Sequence, residues 1–281
     1  MLYEVMIEPL LRIVSWNIAH KTSAWDTLVR PNAGLDVALL QEAVPPPASL
    51  SVQTIPGRDG SWTTAGGRRS FCAAVARISE QVRMTAVGSA CLADANSDQV
   101  GVSRLGTLAA ADIAIDGEEP ITVVSLYGSW EAARKGSWIF ADASVHRLVS
   151  DLSYFVGGQR GHRIIAAGDL NILHGYGEFG SAYWGERYAT IFKRMAAIGI
   201  PFVGPQHPNG GQAMPWPSEL PTESKNVPTF RTRRTDPSSA TRQLDFVFAS
   251  EELVPRLHVK ALNSVEEWGP SDHCRVSIEV R

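Results

Sequence analysis

The sequence predicts an α/β chain: a four-layer α-β-β-α sandwich with two central mixed sheets, in one domain spanning 1–281. Three observations point there. Seven short apolar runs are spread along the chain, several apolar on both faces, as strands buried inside a layered structure must be. Two segments among them have helical spacing instead. No internal repeat and no linker divides the 281 residues.

The strand candidates, in order, are "LRIVSWN" (11–17), "DVALLQE" (36–42), "FCAAVARI" (71–78), "ITVVSLYG" (121–128), "RIIAAGDLN" (163–171), "QLDFVFAS" (243–250) and "CRVSIEV" (274–280). In "SWIFADASVHRLVSDLSYF", Ile139, Val145, Leu148, Leu152 and Phe155 form one helical stripe, and Gly157-Gly158 stops it. A second helix is expected in "YWGERYATIFKRMAAIG", ended by Gly199, and a short one at 26–35. The segment 204–240 departs from this pattern, with seven prolines, several glycines and few aliphatic residues. A loop that long inside a compact chain is more often functional than decorative.

Bulk composition excludes several classes. A hydrophobic share of 44% with 20% charged residues belongs to an ordinary globular chain, and no stretch approaches the length of a membrane span. Glu4 and Glu8 stand where a secretory signal would carry positive charge. Cys72, Cys91 and Cys274 are odd in number and far apart, which implies reduced core thiols in a cytoplasmic protein, with neither a disulfide frame nor a zinc site. A net charge of -3 argues against a dedicated nucleic-acid coat but leaves room for a local basic groove. Arg231, Arg233, Arg234 and Arg242 in "FRTRRTDPSSATR" are the candidate for one, a solvated loop with scattered arginines being the alternative.

Polar residues recur at the strand edges. The first strand ends in Asn17 and the second in Glu42; the 121–128 strand reaches Tyr127, and the 163–171 strand delivers Asp169 and Asn171. Asp245 lies in "QLDFVF", and Asp272 and His273 precede the last strand. Strand ends gather along one edge of a sandwich, so these groups are expected to converge. Carboxylates and amides are hard oxygen ligands that suit Mg²⁺ or Mn²⁺. Buried among apolar strands, Glu42 and Asp245 are costly unless paired or metal-bound. Among the other polar residues, His146 reads as structural, and His162 and His207 as surface groups. His20 and His174 lie close enough past strand ends to approach the pocket, while Trp16 reads as core.

Taken together, "SWN", "LLQE", "GDLN", "LDFVF" and "SDH", in this order, resemble the endonuclease/exonuclease/phosphatase superfamily, whose members include deoxyribonuclease I, exonuclease III-like enzymes, inositol polyphosphate 5-phosphatases and neutral sphingomyelinases. The motifs run from Trp16 to His273. The resemblance implies that Glu42 is the principal ligand of a divalent metal, with Asn17 and Asp272 on or near it. It implies that Asp169 orients or deprotonates the attacking water and that Asn171 holds the nucleophile and a phosphate oxygen. His273 would bind the scissile phosphate, with Asp245 fixing its tautomer, and Tyr127 would contact the phosphate. Asp272 and His273 are neighbours, and on a regular strand they would face apart; the turn before the last strand lets one serve the metal and the other the phosphate.

The implied activity is divalent-metal-dependent phosphodiester hydrolysis, by a nuclease acting on DNA or RNA or by a phosphoesterase acting on a phosphoinositide, sphingolipid or nucleotide. The Arg231–Arg242 cluster and Trp130, Trp216 and Trp268, as platforms for stacked bases, favour the nuclease. "WNIAH", "QEAVPPP" and "YGSWE" depart from the exonuclease III-like branch, which puts an apurinic-site role in doubt.

Overall fold

The computed structural model describes residues 8–31, 33–63, 72–132, 139–156 and 163–281. In chain order its elements are β1 (Leu11–Asn17), α1 (Ser23–Leu28), β2 (Val37–Gln41), β3 (Gln53–Ile55), β4 (Ala74–Arg77), β5 (Arg83–Val87), β6 (Ser89–Cys91), β7 (Val100–Val102), β8 (Leu108–Ala114), β9 (Ile121–Tyr127), β10 (Glu131–Ala132), β11 (Ile139–Phe140), α2 (Asp142–Val156), β12 (Ile164–Asp169), α3 (Ala182–Ala197), β13 (Phe202–Gly204), β14 (Asp245–Ala249), β15 (Leu257–Leu262) and β16 (Arg275–Val280). Two six-stranded sheets result, ordered β15-β16-β1-β2-β4-β3 and β13-β14-β12-β9-β8-β5. Each is mixed: β1 pairs parallel to β2 but antiparallel to β16, and β12 pairs parallel to β9 but antiparallel to β14. Two short ribbons, β6-β7 and β10-β11, complete the strands.

The sheets pack face to face over an apolar layer that includes Ile13, Leu39, Val75, Val123, Ile165, Val247 and Ile278. α2 and α3 cover the outer face of the second sheet through Val145, Leu148, Leu152, Tyr188, Ile191 and Met195. On the first sheet the outer layer is thin: α1 buries Trp25 and Leu28 against Val14, Trp16 and Leu40. The order of layers is therefore α2/α3, sheet, sheet, α1, which is the expected sandwich with one lean side.

Several expectations shift at their edges. The short helix spans Ser23–Leu28 and not 26–35, because Pro31 disfavours helical geometry at Arg30 and Gly34 adopts a left-handed φ of 56°. Ile139 belongs to β11 and precedes the helical stripe, whose members Val145, Leu148, Leu152 and Phe155 are buried on α2. Gly157-Gly158, His162 and Phe71 lie outside the described residues. α3 starts at Ser181, whose side chain accepts from Trp184 N, and closes at Gly199 with φ 80°. Cys72 and Cys274 are core thiols, but Cys91 is exposed because it lies on the β6-β7 ribbon at the surface. No helix among the described residues is long and apolar enough to cross a membrane.

One glycine sets the spacing at the working end. A Cβ on Gly168 would lie 1.8 Å from the Leu126 carbonyl oxygen on β9, closer than any real contact allows. Only glycine lets β12 pair with β9 so that Asp169 stands opposite Tyr127. Gly168→Ala is expected to cost at least about 3 kcal/mol through the forced backbone shift, lowering the melting temperature by roughly 6–12 °C. A thermal melt within 2 °C of the parent would contradict this packing.

Candidate active site

Both sheets end at one edge. Asn17 closes β1 opposite Gln41 of β2. In the other sheet Tyr127, Asp169 and Asp245 stand level across β9, β12 and β14. At this end the inter-sheet layer turns polar, with Ser15, Asn17, Gln41 and Ser125 all buried. Gln41 Nε2 donates to Ser125 Oγ at 3.0 Å, and Ser125 Oγ donates to the Leu40 carbonyl at 2.7 Å, tying one sheet to the other beneath the site.

The centre is a buried cluster of opposed charges. Asp245 Oδ2 lies 2.8 Å from His273 Nδ1, and Asp169 Oδ2 lies 3.7 Å from His273 Nε2. Asn17 Nδ2 donates to Asp169 Oδ2 at 2.8 Å, and Asn171 donates to the same carboxylate twice, from its backbone N at 2.9 Å and from Nδ2 at 3.1 Å. Burial by itself would strip the proton from His273, but Asp245 and Asp169 outweigh it and hold the imidazole above its ordinary range, at about 10. Burial raises the Asp169 carboxyl, against the pull of His273 and with Asp245 and Glu42 adding to the rise. Burial, then Glu42 and Asp169, push the Tyr127 phenol far up, so it stays protonated.

The turns that present these groups are strained. Ala19, His20, Glu42 and Asn171 all carry positive φ, at 47°, 58°, 44° and 51°. A non-glycine residue held so costs roughly 1–3 kcal/mol and persists where its surroundings overdetermine it, commonly at functional sites. Ala19 N donates to Asn17 Oδ1 at 2.9 Å, and His20 N to the Glu42 carbonyl at 3.1 Å, which binds the two strand ends into one wall.

Glu42, Asp169, Asp245 and Asp272 bring four carboxylates to this end, and His273 neutralises only part of them. Among the described residues, buried Asp245 Oδ1 has no hydrogen-bond partner. That surplus of hard, negative oxygen fits a divalent cation. Among the described residues Asp169, Asp245 and His273 offer ligand atoms within 4.8 Å of one another. Both ring nitrogens of His273 already face carboxylates, however, so a proton suits that cluster better than an ion. Glu42 and Asp272 are half-buried, on the turn after β2 and the turn before β16, and either carboxylate could take an ion.

Of the other predicted residues, Arg233 and Arg234 are exposed. Arg231 instead holds its own loop, donating to the Thr235 and Ser271 carbonyls at 2.5 and 3.4 Å. Arg242 pairs with Glu178 at 3.1 Å. Trp216 is half-buried, its indole N–H on the Leu220 carbonyl. Trp268 is no base platform: it is only 1% exposed, packed among Val227, Ala240, Ala261 and Cys274, because the turn before β16 needs an apolar plug. Trp16 is core, yet its Nε1 donates to the His273 carbonyl at 2.9 Å and pins the turn before β16. His20 reaches the site, with Nε2 at 3.4 Å from Glu42 Oε2. His174 does not: it bonds Asn226 and packs on Phe192 and Phe202.

Three contributors escaped the sequence reading. Thr229 Oγ1 accepts from the backbone N–H groups of Leu244 and Asp245, Phe230 bridges to His273 with its ring 5.0 Å away, and Ser271 Oγ donates to the Asn17 carbonyl while accepting from His273 N. Ser271 stood in the "SDH" motif. Thr229 and Phe230 came from the proline-rich segment, where only its length was a signal.

A search of curated proteins returned no match. Solved structures do align. The AP endonuclease LMAP from Leishmania major has a TM-score of 0.64 at 15% identity, over 96% of this chain and 87% of that one. The 3' phosphatase NExo from Neisseria, bound to product DNA hairpin, gives 0.59 at 16%, over 96% and 99%. An AP endonuclease from Archaeoglobus fulgidus gives 0.57 at 16%, again over 96% and 99%. At such identities these establish the fold. The family model of the Endonuclease/Exonuclease/phosphatase family matches residues 14–273, a span that encloses every group in the cluster just described. The chain belongs to that family and is a divalent-metal-dependent phosphodiester hydrolase.

Proposed function

We propose that the protein is a Mg²⁺- or Mn²⁺-dependent nuclease acting on DNA or RNA in the cytoplasm. The observation that carries the hydrolytic reading is the His273 imidazole clamped between buried Asp245 and Asp169, with Asn17 and Asn171 on the same carboxylate. In this reading Asp169 orients the attacking water and takes its proton. Asn171 holds that water and a phosphate oxygen. Asp245, on Nδ1, leaves the Nε2 edge of His273 to meet the scissile phosphate and the charge that grows on it. Tyr127, protonated, reaches the phosphate. Glu42, Asn17 and Asp272 would hold the ion, which when bound supplies Lewis-acid charge to the phosphate and leaving oxygens. Exposed Arg233 and Arg234, with Trp130 40% exposed and Trp216 half-buried, support a nucleic-acid strand as substrate. The unpaired cysteines support a reducing compartment.

A second reading, a small or lipid phosphoester as substrate, has one observation in its favour. Arg231 and Arg242 are spent on internal partners, which halves the cationic cluster. Turnover of plasmid DNA, single-stranded DNA, RNA, nucleotides, phosphoinositide and sphingolipid, measured side by side with added metal, separates the two. Cleavage of a polynucleotide above all small phosphoesters is expected; hydrolysis of small phosphoesters alone would replace the nuclease reading. In the same assay EDTA should silence the enzyme and Mg²⁺ or Mn²⁺ should restore it. Activity undiminished in chelator would remove the metal from the mechanism.

A further inference from the structure

We infer that Thr229 is a positioning residue: its hydroxyl and its carbonyl set the separation at which Asp245 of one sheet meets His273 of the other. This rests on the reading above that His273, fixed by Asp245, meets the scissile phosphate. Asp245 opens β14 and His273 precedes β16, strands of different sheets, so no ladder fixes the 2.8 Å between Oδ2 and Nδ1. A strap of three residues from the proline-rich segment does. Thr229 Oγ1 accepts from the backbone N–H groups of Leu244 at 2.9 Å and Asp245 at 3.1 Å. The backbone N–H groups of Thr229 and Phe230 both donate to the Arg242 carbonyl, at 2.9 and 3.1 Å. On its other side the strap accepts the Cys274 N–H on the Thr229 carbonyl at 2.9 Å and donates the Arg231 N–H to the Asp272 carbonyl at 3.0 Å. The residues on either side of His273 and the residue that carries its carboxylate partner are thus bonded to one short segment.

The hydroxyl is needed because sheet pairing runs out. β13 pairs with β14 at Phe248 and Val247 and stops there, short of Leu244 and Asp245. One hydroxyl oxygen has two lone pairs and answers both N–H groups at once, which an apolar side chain of the same shape cannot do. Thr229 is 0% exposed, so bulk water does not stand in for it. Phe230, next along the strap, lays its ring 5.0 Å from the imidazole. Losing the acceptor frees the main chain that carries Asp245, and a misplacement of about 1 Å away from the reacting atoms can cost about 10²-fold in rate.

Turnover of plasmid DNA with Mn²⁺ by the full-length protein, at saturating substrate and well below each variant's melting temperature, tests this. Thr229→Val keeps the shape and removes the acceptor, and is expected to slow turnover about 10–100-fold in protein that is fully folded at the assay temperature. Thr229→Ser, which keeps the oxygen, is expected to recover most of that loss. The decisive readout is a double-variant cycle with Asp245→Asn, which alone should lose about 10²–10⁴-fold. Because Thr229 acts through the Asp245 carboxylate, adding Thr229→Val to Asp245→Asn should lower the melt further but leave turnover where Asp245→Asn set it. Losses that multiply, parent-like turnover in folded Thr229→Val, or a Ser variant as slow as Val would each overturn the inference. Should Thr229→Val not fold, Thr229→Cys, a weak acceptor of similar size, takes its place under the same outcomes. Parent-like turnover in Asp245→Asn would instead fell the reading beneath. A loss there beside an unaffected Thr229→Val would keep that reading and remove Thr229 alone.

Discussion

Asp169→Asn is expected to lower turnover by about 10²–10⁴-fold while leaving the melting temperature nearly unchanged. Asparagine is isosteric, so its one oxygen can still accept from Asn17 Nδ2 and Asn171 Nδ2, and only the Asn171 backbone N–H, which met the other carboxylate oxygen, loses its acceptor. What disappears is the negative charge and with it the capacity to take a proton. Burial and the nearby Asp245 and Glu42 already raise this carboxyl, so removing its charge also relieves repulsion inside the cluster. Stability is therefore held or gained while chemistry is lost. Single-turnover rates at saturating substrate, set beside a melt, check both halves. Parent-like turnover would take Asp169 out of the reaction, and a collapsed melt would mean the carboxylate serves the fold.

The site was legible because its residues punctuate apolar runs. "LRIVSWN" and "IIAAGD" are strands as read, and their last polar residues are where two sheets run out together. Glu42 announced itself by following an apolar run that buries every position from Val37 to Gln41. Periodicity failed where burial is two-sided and the residues are small. β8, "LAAADIA", is rich in alanine, a weak strand former, yet Ala109 and Ala111 pack between the sheets while Ala110 packs under α2. Small side chains are tolerated there because both neighbouring layers press close. β15, "LHVKAL", does alternate, burying Val259 and Ala261, but it is a short edge strand with polar groups between. Trp268 exposes a different limit. Composition identifies an aromatic, whereas only packing tells whether its face meets solvent or a cysteine and an alanine. Thr229 and Phe230 show the same limit in reverse, since their roles arise from isolated bridges to Arg242 and His273, far off in sequence.

His273→Ala should act on both ledgers at once, and the combination distinguishes its role from that of Asp169. The imidazole is the cation between two carboxylates that are 0% and 1% exposed. Deleting it leaves Asp169 and Asp245 as buried like charges without their counter-ion, and removing one partner of a buried pair costs about 3–5 kcal/mol. Activity should fall as well, by about 10²–10³-fold beyond any loss of folded protein, the effect of losing one donor aimed at developing charge. The two effects separate in the double variant His273→Ala/Asp245→Asn. Neutralising Asp245 removes most of the repulsion, so the melt should recover toward the parent, while turnover should stay at the level of the single variant because the imidazole that met the phosphate is still missing. Should the double variant regain activity together with stability, the imidazole would be only a counter-ion for Asp245, and the phosphate would have to be met by another donor, of which Tyr127 is the nearest in kind.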